Sequence, residues 1–308
     1  MKAKDWKYLP LDLLLHAMAF LPMWILYGIA DFAFVILCYA WGYRKKIVMR
    51  NLRASFPGKT EKELRVIARK FYRRFADQVV ETVKLLHISD KAMRRRTTFA
   101  PDEMKRIDRC LSEKRPIVVF FSHCFNWEWV PSVTLWSTLR PGTDAEFCQI
   151  YRPLRNKWFD AIMLRMRSRF HSVSLAKKVA FLDLMRYKRR DIPTITGFMS
   201  DQHPSAGDPG CPVMFLNHPT AMITGTETVA RRLDAMVIYW DIHRLRRGHY
   251  HVKTHFLTDD PGSLPEGELT RTYARMLQQT IERDPANWLW THNRWKHPVT
   301  LPENHSEK

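Results

Sequence analysis

His123 and Glu128 are the two residues whose types and spacing are best suited to moving a proton. They close the stretch Ile117-Val118-Val119-Phe120-Phe121-Ser122-His123-Cys124-Phe125-Asn126-Trp127-Glu128. Its five leading apolar residues, mostly β-branched or aromatic and too few for a helix, predict a strand that the turn former Ser122 ends. His123 then lies just past a strand end, and in open α/β sheets ligands bind in the crevice beyond the carboxyl ends of the strands. On one continuous helix residues 123 and 128 would point roughly 140° apart at 3.6 residues per turn. If His123 lies in the turn and Asn126 caps a helix beginning at Trp127, Glu128 falls in the first turn and its carboxylate can fold back toward the imidazole. Such a pair is a general base able to take a proton from an alcohol. The plainer alternative is a histidine that is merely hydrogen-bonded, and Cys124 offers a rival Cys/His nucleophile, although adjacent side chains diverge. Pro131 fits the capped helix only if that helix begins late or kinks.

The elements that must hold this turn alternate from Pro101 onward. Helices are predicted near 101–112, 127–139, 155–169, 176–187 and 267–283, and strands at 117–122, 146–151, 192–200, 236–242 and 249–256. That order predicts an α/β fold, a mixed β-sheet flanked by helices, over residues 101–308. Residues 44–100 read as a basic and amphipathic helical region, with a long helix from Thr60 to Leu86 opened by Thr60-Glu61-Lys62-Glu63. Residues 1–43 are expected to be a membrane anchor, apolar from about Leu11 to Tyr43 and interrupted by Asp31. It lacks a small-residue cleavage site, so a retained anchor is expected rather than a removed signal peptide. One tilted span, a re-entrant pair of helices or the buried hairpin of a soluble protein would each fit a mean hydropathy of −0.35. Asp31 is expected near an interface or facing protein, and the basic stretch Arg44 to Arg53 puts the rest of the chain in the cytoplasm, near anionic headgroups.

The chain has 308 residues, 50 Lys+Arg against 31 Asp+Glu and a formal charge of +19, which points to an anionic partner. Five cysteines, at 38, 110, 124, 148 and 211, are odd in number and form no C-x-x-C pair, against a disulfide framework or zinc site. His203, His218, His292 and His297 show no metal-ligand spacing, so no metal is expected. Basic residues interleaved with aromatics near the carboxyl end would suit nucleic acid, but that reading leaves the apolar N-terminus and the His/Glu turn unexplained.

Further blocks follow in order. After the 146–151 strand comes Tyr151-Arg152-Pro153-Leu154-Arg155-Asn156, then Asp160, Arg165, Arg167 and Arg169; arginines at 165 and 169 share a helix face and could converge on a phosphate or carboxylate. The next strand ends in Asp201-Gln202-His203-Pro204, where Asp201 could bind a sugar hydroxyl or pair with an arginine, and the chain closes with Trp288-Leu289-Trp290-Thr291-His292-Asn293-Arg294-Trp295-Lys296. Together with H-x-x-x-x-E in its Asn-Trp-Glu form, these blocks resemble the lipid A secondary acyltransferases of the lysophospholipid acyltransferase superfamily. Gly207, Gly210, Phe215, Ala221 and Gly225 roughly match that family's loop after Asp-Gln. Phe170 stands where the family often has glycine, and Cys211-Pro212-Val213-Met214-Phe215 departs from its Val-Pro-Phe-Phe.

The resemblance implies a glycerolipid acyltransferase-like fold on the cytoplasmic face of a bacterial inner membrane. It implies acyl-acyl carrier protein or acyl-CoA as donor, acyl carrier protein and anionic lipids as partners, a phosphorylated lipid A precursor as acceptor, and no cofactor or nucleic acid. His123 would be the base and Glu128 its orienting carboxylate. Asn126, Arg152, Arg167, Asp201, Gln202 and Arg294 would serve substrate, and Arg169 by preference, or backbone N–H groups at Trp127, the oxyanion. An aminolipid or lysophospholipid acceptor, or a lipid hydrolase, remain as alternatives.

Overall fold

The computed structural model of the chain describes residues 3–205, 210–296 and 299, so Gly207 and His297 lie outside the described residues. Among the described residues the strands are β1 (Thr97–Phe99), β2 (Ile117–Phe121), β3 (Glu146–Tyr151), β4 (Val173–Ala176), β5 (Thr194–Met199), β6 (Cys211–Phe215), β7 (His218–Met222), β8 (Met236–Arg246) and β9 (His249–Thr258). The helices are α1 (Leu9–Phe20), α2 (Met23–Val35), α3 (Lys45–Ser55), α4 (Glu61–Lys84), α5 (Asp90–Arg96), α6 (Pro101–Ser112), α7 (Lys157–Arg167), α8 (Ala180–Arg189), α9 (Gly225–Leu233) and α10 (Glu268–Arg283).

β2 is apolar throughout because it is buried on both faces at the middle of a seven-stranded sheet. The strand order is β1-β9-β8-β2-β5-β3-β4. All neighbours run parallel except β8 and β9, which makes the sheet mixed, as expected, with helices flanking it. Because β2, β3 and β5 run the same way, their carboxyl ends open at one edge of the sheet, and His123, Arg152 and Asp201 follow those ends.

Several expectations are corrected. The predicted helix over 127–139 is instead a 3-10 segment, Trp127–Leu135, because Pro131 inside it has no N–H to donate and its ring crowds the preceding turn. The 176–187 helix begins only at Ala180, after β4. β1 and β4, three and four residues long, are too short for a period of two to register. The chain at 211–222 is a β6–β7 hairpin turned at Leu216 and Asn217, both at positive φ, and Pro212 masks its strand character.

Thr60 and Glu63 form the expected capping box that starts α4, and α1 and α2, which meet at a break near Pro22, pack along that helix. Lys84 donates 2.8 Å bonds to the carbonyls of Ala19 and Leu21 at the end of α1. α2 buries Leu26, Ala30, Phe34 and Cys38 beyond it, spaced by four, while Trp24, Phe32 and Tyr39 stay exposed. Met23–Ala40 is long and apolar enough to cross a membrane. Asp31 within it faces protein: Arg247 donates to it at 2.9 and 3.0 Å and Arg73 at 3.1 Å. One contiguous core runs from Ala19 to Trp290, so the three stretches distinguished in the sequence are packed as one body.

Candidate active site

The register of β2 on β5 places Phe121 beside Met199, and two residues further along each strand His123 meets Asp201. Nδ1 of His123 lies 2.8 Å from one Asp201 oxygen, while the His123 backbone N–H (3.0 Å) and the Trp288 indole N–H (2.8 Å) donate to the other. Burial by itself would raise the Asp201 pKa, but the attraction of His123 and these hydrogen bonds outweigh it and hold it at about 2. An ionised carboxylate only accepts, so Nδ1 carries a proton, and in the neutral ring the lone pair is on Nε2. Nε2 has the Gln202 amide nitrogen 3.3 Å away as donor, and the ring of Trp127 packs edge-on against the imidazole.

The carboxylate on His123 is therefore Asp201, which corrects the expected contact with Glu128. Glu128 turns the other way. Arg167, from the end of α7, donates to it from Nε (2.8 Å) and Nη2 (2.6 Å), and its own neighbour Trp127 donates at 3.0 Å. Asn126 does cap this turn, its Oδ1 accepting from the Glu128 N–H. Its Nδ2, however, donates at 2.8 Å to Glu81 of α4, so Asn126 is spent on structure. Glu81 is fully buried and also accepts from Tyr27 and Tyr250, while the Trp129 indole donates to its carbonyl. Burial, and then the nearby Asp77 charge, push its pKa up to about 7. Sequence reasoning missed Glu81; the signal was a polar run, Asp77, Gln78 and Glu81, on the face of α4 that otherwise packs inward.

Two other arginines are corrected. Arg169 lies beyond the end of α7, donates to the Ile88 carbonyl at 2.9 Å and approaches Asp90 at 3.6 Å, so it does not share a helical face with Arg165. Arg294 is wholly buried and donates to Thr220 (2.8 Å) and the Ala221 carbonyl (2.7 Å), tying down β7. Trp288 and Trp290 are buried rather than interfacial, and Trp288 backs the His123–Asp201 pair. The basic stretch near α3 also holds this closing segment: Arg44 donates to the Thr291 carbonyl, and Asn51 to those of Trp290 and His292. The Cys124 thiol is buried, which pushes its pKa well up and leaves it a poor nucleophile. All five cysteines are unpaired and buried.

A cavity of about 910 Å³ opens over the carboxyl ends of β2, β3 and β5. His123, Glu128, Arg152, Arg167 and Gln202 line it, whereas Asn126, Arg169, Asp201 and Arg294 stand behind or away from its wall. Its surface is mainly apolar: Leu15, Phe75, Val79 and Val83 come from the N-terminal helices, and Leu184 and Val229 from α8 and α9. Among the described residues Nη1 of Arg167 makes no hydrogen bond, so the guanidinium that Glu128 orients keeps a donor for a ligand. A base whose Nε2 faces the cavity with only the long Gln202 contact to displace, together with a cation on the same wall and a long apolar lining, can deprotonate a hydroxyl while holding a hydrocarbon chain.

The mixed sheet and this site define an α/β protein whose histidine–carboxylate pair stands at a largely apolar cavity. The family model for bacterial lipid A biosynthesis acyltransferases matches residues 4–297, and the chain belongs to that family and is an acyltransferase. A search of curated proteins finds no significant match.

Proposed function

We propose that this protein moves a fatty acyl chain from acyl-acyl carrier protein to a hydroxyl of a phosphorylated lipid A precursor at the cytoplasmic face of a bacterial inner membrane. The observation that carries the reading is the bonding of His123: Nδ1 is held by Asp201 and Nε2 is turned to an apolar cavity.

His123 Nε2 takes the proton of the acceptor hydroxyl as its oxygen attacks the thioester carbonyl, and Asp201 stabilises the imidazolium that forms. The oxyanion forms beside Arg167, whose Nη1 can donate to it, so Arg167 replaces Arg169 in this role. Collapse breaks the carbon–sulfur bond, and the imidazolium returns its proton to the departing thiolate. Arg152, exposed and on the cavity wall, serves an acceptor phosphate, and Gln202 steadies the imidazole edge. The apolar wall takes the acyl chain. No cofactor is required by these steps. The +19 charge favours an acidic carrier protein and an anionic membrane, and the apolar Met23–Ala40 stretch favours a membrane location.

The test is mass spectrometry of lipid A from cells lacking this chain, complemented with wild type, His123→Ala, Asp201→Asn or Glu128→Gln. Loss of one acyl mass, restored by wild type and by neither the His123 nor the Asp201 variant, supports acceptor and pair together. A normal lipid A with an acyl group missing from an aminolipid or a lysophospholipid would overturn the acceptor.

A further inference from the structure

The segments that frame the cavity mouth have a composition the chemistry leaves unexplained. Residues 152–159 and 177–182 carry five exposed cations, Arg152, Arg155, Lys157, Lys177 and Lys178; the carboxylates that follow directly, Asp160 and Asp183, are engaged by the Leu154 N–H and by Arg186 and, among the described residues, pair with none of the five. Between them stand large apolar side chains that the protein leaves open: Leu154, Phe159, Val179, Phe181 and Leu182 are 38% to 57% exposed. Leu154, Phe159 and Phe181 all line the mouth, which puts both segments around one opening. Exposed hydrocarbon ringed by unopposed cations is the pattern of a surface that rests in the headgroup region of an anionic bilayer.

Continuity with the N-terminus supports the same occupant. Trp158, between Lys157 and Phe159, stacks on Tyr8 at 4.7 Å, and Asn156 donates to the Tyr8 hydroxyl at 2.9 Å. Tyr8 leads directly into α1, which exposes Leu11, Leu13 and Leu14. We infer that the rim of the cavity, residues 152–159 with 177–182, is a second membrane-contact surface that seats the α/β body on an anionic bilayer with the cavity mouth facing lipid. An acidic carrier protein would match the cations but not this area of open hydrocarbon, so the bilayer is the better fit. The inference is independent of the acyl-transfer steps, since docking is read without turnover.

The full-length protein is reconstituted with vesicles of phosphatidylethanolamine and phosphatidylglycerol. A fluorophore is placed at Leu182→Cys or Arg155→Cys, the five native cysteines being buried. The reference label is Glu113→Cys, on the turn between α6 and β2 at the amino ends of the parallel strands, the far edge of the sheet from the cavity. Expected are quenching of both rim labels by spin-labelled lipid and several-fold less quenching by iodide than at position 113. The double variant Lys177→Glu/Lys178→Glu should return the rim labels toward the reference while the protein still floats with the vesicles through its N-terminal helices. Equal iodide quenching at rim and reference in anionic vesicles overturns the inference. So does protection of the rim labels that arises only on adding an acidic carrier protein.

Discussion

The imidazole of His123 is held from behind by one carboxylate, and what that carboxylate can accept decides the tautomer. In Asp201→Asn the amide oxygen can still accept from Trp288 or the backbone, but its NH2 cannot accept from Nδ1–H. The ring proton then moves to Nε2, and kcat is expected to fall by about 10²–10⁴ with KM little changed, as for His123→Ala. Glu128→Gln should act more weakly, since it loosens the oxyanion donor Arg167 and leaves the ring alone, so kcat is expected to fall by about 10-fold with KM little changed. Steady-state assays with a long-chain acyl carrier protein donor separate the two, and equal kcat losses would return Glu128 to the base. Asp201 also marks stability. Its folded pKa of about 2 lies below the ordinary 3.8, so the stabilisation is complete above 3.8 and is lost as pH falls toward 2. The loss is on the order of 2 kcal/mol. Unfolding in denaturant across that window should show the acid limb in the wild type and a shallower one in Asp201→Asn.

At the scale of elements, α4 joins the N-terminal helices to the His123 turn through Glu81, which accepts hydrogen bonds from Tyr27 of α2, Tyr250 of β9 and Asn126. Its folded pKa of about 7 lies above the ordinary 4.5, so the stability it contributes is present below 4.5 and lost as pH rises through 7. Melting temperature should decline across that range, and the decline should vanish in Glu81→Gln. β5 has its own test. A Cβ at Gly197 would stand 2.9 Å from the ring of Phe121, which lines the cavity, so Gly197→Ala should push that ring and lower activity while the protein still folds; an unchanged rate would mean the ring yields freely. The strands that carry the site were legible because β2 is an apolar run and β3 and β5 are short segments rich in β-branched and aromatic residues, each ended by a polar turn. The pairing across them was not, because His123 and Asp201 are 78 residues apart and only the β2–β5 register brings them together. Glu128 misled for the opposite reason: five residues suggest a contact, yet Arg167 offers that carboxylate two aligned donors. Arg294 looked like a ligand for headgroups because a buried arginine, held by a hydroxyl and a carbonyl, leaves no mark in sequence.

For the molecule as a whole, α1 and α2 cover α4, and α4 supplies Phe75, Val79 and Val83 to the cavity wall. A chain shortened by its first 40 residues would uncover the side chains that meet Ala19, Leu26 and Ala30 and would orphan Tyr27's bond to Glu81. Such a chain is expected to aggregate or lose its cooperative melt instead of becoming a soluble enzyme, which size-exclusion chromatography and calorimetry would reveal. The apolar N-terminus was legible as a unit, but its packing was not, since a face that meets lipid and a face that meets α4 are equally hydrophobic.

The carboxylate of Asp201 gathers its donors from residues 123 and 288, so the pair and its support span a little over half of the chain's length. During synthesis the apolar helices are made first, well before Asp201 and Trp288 exist to hold His123. The His123–Asp201 pair is therefore complete only once residue 288 has been made. A product interrupted before Trp288 is expected to keep the apolar helices and lose the acyltransferase activity.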